Sequence, residues 1–449
     1  MLDLAVCGGN VIDTLTRTTA VCNIGIKDGR VVCITTDPIF ACTTINATGL
    51  TVAPGFIDPH GHVDGNDHCG ELSACQGITT TIGGNCGLSP VNMAGFFREQ
   101  REKGFVINQG ELVGHSFSLR EAVGATDPRR KATPPQIAEM CRLAAIALDD
   151  GALGLSLGLD YSPAASLQEI RSMAAVCAKY NRVLPVHTRL FTLYDLFSIK
   201  EILHIATETG VTLLFSHFVY QYGEGVVLDA LSLIDKARAR GLKIYIDSGM
   251  YREWATYIGT ATFDPQSMRD NELRLGDMLV ATGEYKGQWL TDETFHKLRD
   301  TAPGETVIYF TGNEREIYDS LIVDYAMPST DIGAYRPGEG HPQIAGSFPR
   351  YLRRMVRELG LLSLEDAVYK ATLLPATLFG LTGKGRLTQG SDADMVIFDP
   401  ETITDHADFP DRGFPDARPS GIHHVIVGGV PVVEDNRLLG TRPGKILTA

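Results

Sequence analysis

The stretch Thr51-Val-Ala-Pro-Gly-Phe-Ile-Asp-Pro-His-Gly-His62 is a short apolar run that stops at two histidines one residue apart. Pro54, Gly55 and Pro59 bracket it, which predicts a buried strand that leaves a turn and breaks where it ends. Residues i and i+2 of a strand share a face, so His60 and His62 project together from the strand end and could hold one metal ion. Two surface histidines on a loop are the plainer reading of a bare His-x-His. Partners elsewhere in the chain decide between them.

Downstream of this stretch, apolar runs alternate with helical patterns, the mark of βα units around a parallel sheet. The predicted strands are Val52–Asp58, Gly77–Gly83, Glu111–His115, Ala152–Leu157, Val183–His187, Thr212–His217, Lys243–Asp247 and Leu321–Met327. Eight such strands predict an α/β fold, a (β/α)8 TIM barrel, whose chemistry sits at the strand C-terminal ends. Helices are expected over Pro134–Asp150, Ser166–Tyr180 and Ser363–Thr372. Residues 264–318 are longer than an ordinary connection and read as an insertion between strands seven and eight. Upstream, residues 1–51 alternate like short antiparallel strands with a tight turn at Asp28-Gly29. Residues 385–449 hold matching strands, so the two termini are expected to build one small β-sandwich around the inserted barrel of residues 52–384.

The chain of 449 residues is 44% hydrophobic and 21% charged, an ordinary globular composition. A net charge of −14 and the lack of an extended basic patch argue against nucleic acid as a partner. The nine cysteines run from Cys7 to Cys177 with none beyond, which does not resemble a secreted disulfide framework. There is no signal-peptide pattern at the N-terminus and no apolar run near the ~18 residues of a membrane span, so a cytoplasmic protein without a membrane partner is expected. The sequence does not give the oligomeric state, and a symmetric homo-oligomer, a dimer first, is the general default.

Ligand-type residues converge on the predicted strand ends. His60 and His62 close strand one, Cys86 follows strand two, His187 closes strand five, His217 closes strand six and Asp331 follows strand eight. A thiolate, imidazoles and a carboxylate are the donors that zinc prefers. Each alone would more often be a buried structural residue, whereas six around one barrel rim point to a metal site.

At these residues the sequence resembles a known family. Ala53-Pro-Gly-Phe-Ile-Asp-Pro-His-Gly-His62 is similar to the first-strand motif of the amidohydrolase superfamily, and Gly84-Asn85-Cys86-Gly87-Leu88-Ser89-Pro90 resembles the signature of its N-acyl-D-amino-acid deacylase (D-aminoacylase) branch. The likeness continues through Val113-Gly114-His115, Gly151-Ala-Leu-Gly-Leu-Ser156 with Tyr161, Ser216-His217, His341-Pro342 with Gly346-Ser-Phe-Pro-Arg350, and Lys370-Ala-Thr-Leu-Leu-Pro-Ala376. It ends with Gly385-Arg386-Leu387, Gly390-Ser-Asp-Ala-Asp-Met-Val396 and Arg442-Pro-Gly444, covering nearly the whole chain in order.

The resemblance implies a zinc ion held tightly by Cys86, His187 and His217, and a second, weaker position near His60, His62 and Asp331. It also implies Asp331 as the general base and Tyr161 as a donor to the developing oxyanion. The expected activity is metal-assisted hydrolysis of a carbon–nitrogen amide bond in a small molecule, an N-acyl-D-amino acid first. A cyclic amide of the hydantoin type is the alternative, and a catalytically silent metal-binding scaffold the remote one. The likeness departs where the branch often carries a Lys and an Arg for the substrate carboxylate: this chain has Val219 and Gln343. Arg189, Arg252 and Arg336, each just beyond a predicted strand end, are the candidate replacements, with Tyr251 and His341 as further candidates to contact substrate. The aromatic residues Phe218, Tyr220, Tyr222, Tyr251, Trp254 and Tyr257, which cluster after strands six and seven, either line an apolar pocket or pack the insertion onto the barrel.

Overall fold

The computed structural model describes residues 1–449 apart from Leu193 and Asp195. Eight parallel strands form the barrel: β1 (Phe56–Asp58), β2 (Ile78–Gly83), β3 (Asn108–Gly114), β4 (Gly154–Gly158), β5 (Val183–His187), β6 (Thr212–Phe215), β7 (Ile244–Ser248) and β8 (Ala326–Pro328), each paired with its neighbour in chain order. Inward-facing Ile57, Ile82, Leu112, Leu153, Val183, Leu214 and Met327 fill the interior with Leu374 and Phe379, so the barrel is a packed core.

The seam between β8 and β1 closes through the residues just beyond the strands. The Asp331 N–H donates to the His60 carbonyl at 2.8 Å, and the His62 N–H to the Ile332 carbonyl at 2.8 Å. Below them the Thr330 hydroxyl donates to the buried Asp58 carboxylate at 2.5 Å. The stitching that closes the barrel therefore also fixes His60, His62 and Asp331 relative to one another.

The predicted strand Val52–Asp58 is two strands. Thr51–Pro54 pairs parallel with Leu2–Asp13 and antiparallel with Met395–Phe398 in the terminal sheet, whereas Phe56–Asp58 is β1. The break falls at Gly55, whose N–H goes to the Asp394 carbonyl while that of Phe56 goes to Gly77. Thr79 packs so closely there that a Cβ on Gly55 would lie 2.2 Å from its side chain. Strand eight also differs: Leu321 belongs to the helix Glu314–Ile322, and β8 begins only at Ala326. An isolated run of apolar residues does not distinguish a buried helix end from a short strand. His115 and His217 sit just past their strands, His217 with φ 34° at the start of the short helix Phe218–Tyr222.

Strands from both termini form one continuous nine-stranded sheet around a core that includes Leu4, Ile24, Val52, Met395 and Ile426. Phe56 stacks on Phe348 at 5.5 Å and meets Phe398 at 6.0 Å, which ties this sheet to the barrel. Between β7 and β8 the strands Trp254–Tyr257, Met278–Val280 and Thr306–Tyr309 make an antiparallel sheet with the last in the middle, over its own core of Ile258, Phe263, Leu290 and Phe295. This sheet starts ten residues before the expected insertion, because Trp254–Tyr257 supplies one edge. The helices Pro134–Asp149 and Leu167–Lys179 start at capping boxes on Thr133 with Gln136 and Ser166 with Glu169, close to their predicted ends. No described helix is long and apolar enough to cross a membrane.

Candidate metal centre

Cys86 is carried by a turn directly after β2. Gly83 ends the strand, Gly84 takes φ 73°, and Cys86 itself takes φ 52°, so the chain doubles back and turns the thiol over the barrel axis. Gly84 has no room for a side chain: a Cβ would sit 2.1 Å from the Leu112 carbonyl oxygen. The Cys86 Sγ lies 3.3 Å from His60 Nε2 and 3.5 Å from His217 Nε2. His217 Nε2 is in turn 2.8 Å from His187 Nδ1. On the other side of His60, Asp331 Oδ1 is 3.4 Å from both His60 Nε2 and His62 Nε2.

All six ligand-type residues predicted for the rim thus meet in one place. Their donor atoms form two overlapping groups, His60 with Cys86 and His217, and His60 with His62 and Asp331, while His187 joins through His217. The donor chemistry fits a zinc-type cation, with borderline and soft ligands at mutual distances that one ion or a close pair could share. Two imidazole nitrogens 2.8 Å apart need a proton or a cation between them.

The electrostatics run the same way. Burial raises the Cys86 thiol, but the charges of His60 and His217 and hydrogen bonding from His187 outweigh it and hold the group well below its ordinary value. Burial likewise raises Asp331, and hydrogen bonding from His62 with the charges of His217 and His60 brings it below the usual carboxylate range. Thiolate and carboxylate are the forms a metal needs.

A second layer holds this set. Asp247 at the end of β7 is fully buried, sits 3.2 Å from His60 Nδ1, and accepts the His217 N–H at 2.8 Å and the Ser329 hydroxyl at 2.7 Å. Its place at the end of predicted strand seven was the only sequence signal for it. Gln343 donates to the Asp331 carbonyl and accepts the Tyr220 hydroxyl at 3.1 Å. Behind the Cys86 turn, Asp64 accepts the Gly84 N–H at 3.0 Å beside Glu111, whose carboxyl burial and the Asp64 charge push well up.

A cavity of about 100 Å³ opens over the ligands. Aromatic faces of Phe117, Tyr161, Tyr220, Trp254, Tyr257 and Tyr335 line it, together with Asp160, and the insertion sheet supplies Trp254 to Tyr257. Tyr161 packs 4.6 Å from the His187 ring, and its hydroxyl is 2.9 Å from Thr256 Oγ1. Of the aromatic residues in question, Tyr220, Trp254 and Tyr257 face the cavity, whereas Phe218 and Tyr222 pack among the barrel helices.

The three candidate arginines lie elsewhere. Arg189 is 8% exposed and spends its guanidinium on Glu201 at 2.9 Å and on the carbonyls of Pro163 and Ala165. Arg252 is exposed and pairs with Glu253 at 3.0 Å, and Arg336 lies on the surface. Tyr251 and His341 are buried behind the cavity, their rings 5.1 Å apart. Burial pushes His341 down to about 3, and its Nδ1 accepts the Gln343 N–H at 3.1 Å. His115 is held by Glu169 at 3.0 Å, as a structural residue would be.

Known proteins resemble this chain over nearly its whole length. An N-acyl-D-glutamate deacylase of Alcaligenes xylosoxydans xylosoxydans is 33% identical, with 99% of this chain and 96% of the relative aligned. A D-aminoacylase of the same organism is 31% identical over 99% of this chain and 97% of its own. The crystal structure of an N-acyl-D-glutamate deacylase from Bordetella bronchiseptica, in complex with zinc and a phosphonate inhibitor that mimics the tetrahedral intermediate, superposes with a TM-score of 0.89 at 30% identity over the full length of both chains. The model of the amidohydrolase family matches residues 43–173 and 329–433, which hold His60, His62, Cys86, Tyr161 and Asp331. With full-length likeness on both counts, the chain belongs to the amidohydrolase family.

Proposed function

We propose that the protein is a zinc-dependent hydrolase that cleaves the carbon–nitrogen bond of a small N-acylated compound built on an N-acyl-D-amino-acid skeleton. The observation that carries this reading is the convergence of Cys86, His187, His217, His60, His62 and Asp331 beneath one cavity, which all but the buried His60 line. Cys86, His187 and His217 would hold the principal ion, and His60, His62 and Asp331 a second. A bound metal supplies Lewis acidity toward the amide carbonyl and lowers the pKa of water toward ~7.

The chain's own groups do the rest. Asp331 takes the proton of the attacking water on its carboxylate and returns it to the leaving nitrogen, so that the amine departs neutral. Its backbone is pinned by the His60 carbonyl and by Gln343, which keeps the carboxylate over the ligands. Tyr161, a phenol that burial keeps protonated, donates to the carbonyl oxygen as charge builds there. The aromatic walls keep bulk water from the reacting bond.

The test is replacement of Asp331 by Asn in the zinc-loaded protein. Turnover should fall by about 10³-fold or more while the ion on Cys86, His187 and His217 stays bound, because the amide keeps the shape and loses the base. Wild-type rates in the Asn variant would remove Asp331 from the reaction. Tyr161→Phe should lower kcat by about 10²-fold with KM little changed, read from initial rates.

A further inference from the structure

Apart from the histidines that would hold a metal, the cavity over the ligands has no basic side chain among the described residues that line it, whereas Cys86, Asp331 and Asp160 are acidic. With the principal ion alone held by Cys86, His187 and His217, the Cys86 thiolate and Asp331 would balance its charge, which leaves Asp160 in excess. Asp160 is 8% exposed in the wall, with Oδ2 accepting the Thr262 hydroxyl at 2.5 Å. Arg189 and Arg252 are committed to Glu201 and Glu253. Val219 is packed in the apolar core, and Gln343 is tied to Asp331 and Tyr220. A carboxylate brought into this space would give up its hydration with no charge-assisted partner to replace it.

We infer that the substrate presents no carboxylate to this cavity: the amine half of its amide ends in a neutral group, such as a carboxamide or a closed ring, and Asp160 acts as the specificity-determining residue that rejects anions. The inference rests on the amide-hydrolysis reading and narrows its substrate class. Aromatic walls suit such an uncharged group, since they offer apolar area without cationic partners.

The experiment compares N-acetyl-D-leucine with N-acetyl-D-leucinamide, alike in shape and different by one charge. Acetate release is measured with the zinc-loaded full-length protein, and binding by calorimetry with zinc-loaded Asp331→Asn. The carboxamide should be preferred by about tenfold or more in kcat/KM and in affinity, and Asp160→Asn should narrow that ratio in both. Equal or better use of the free acid, or no measurable binding of either compound, overturns the inference. If neither is hydrolysed while the carboxamide still binds more tightly, the amide-hydrolysis reading falls and the charge preference stands.

Discussion

Cys86, His217 and Asp331 have φ of 52°, 34° and 50°, in the left-handed region where non-glycine residues store about 1–3 kcal/mol each. Three of the six ligand-type residues thus hold strained backbone, and the hydrogen bonds around them supply the restraint. Asp247 is the focus of that restraint, touching His60, His217 and Ser329. Replacing it with Ala should weaken zinc binding by about 10–100-fold, read by competition with a chromophoric chelator, because His60 and His217 lose their orientation. Unchanged affinity would make Asp247 a packing residue only. The six residues that meet at the rim were legible in sequence because each sits in a short motif beside a strand end. Asp247 was not identified, since its partner His60 lies 187 residues away in the chain, and Gln343 was noted only as a departure from the family pattern and not as a support of Asp331. The three arginines misled for a related reason: being next to a strand end does not fix which way a side chain turns.

At the scale of elements, buried ion pairs fasten the loops of the rim. Arg120 and Glu169 are 2.5 Å apart with 2% and 0% side-chain exposure, and His115 joins them at 3.0 Å. Glu169→Gln should cost about 3–5 kcal/mol, measured by urea denaturation, because it leaves the Arg120 charge unpaired in the interior. Burial raises the Glu169 carboxyl, but His115 and Arg120 outweigh it and bring it below its ordinary value of 4.5. A depressed folded value means that the stabilisation is present at neutral pH and is lost as pH falls below that ordinary value and through the folded one. The wild type should therefore lose stability on acidification more steeply than the Gln variant. Gly55 marks a boundary that periodicity could not show: Thr51–Asp58 reads as one apolar run, yet its halves pair with different sheets. Gly55→Ala should destabilise by about 1–3 kcal/mol by overpacking against Thr79, seen as a lower thermal midpoint.

For the whole molecule, the alternation of strands and helices and the matching strand patterns at the two ends were enough to predict a barrel with a small β-sandwich built from both termini, and those terminal strands join in one nine-stranded sheet. The sequence did not reveal that this sheet is a single hydrogen-bonded ladder, nor that Trp254–Tyr257 joins the insertion, because both depend on pairing between distant segments. The fold places His60, His62 and Asp331 across the β8–β1 seam, so a metal held by them would be linked to barrel closure. Removing the metal should lower the thermal midpoint, and zinc at about a hundred times its dissociation constant should restore about 2.7 kcal/mol. The measurement that bears most directly on the metal centre is the zinc K-edge absorption spectrum of the stoichiometrically loaded protein, wild type beside Cys86→Ala. A sulfur scatterer at about 2.3 Å in the wild type that vanishes in the variant is the predicted result. A first shell of nitrogen and oxygen alone, identical in both proteins, would contradict it.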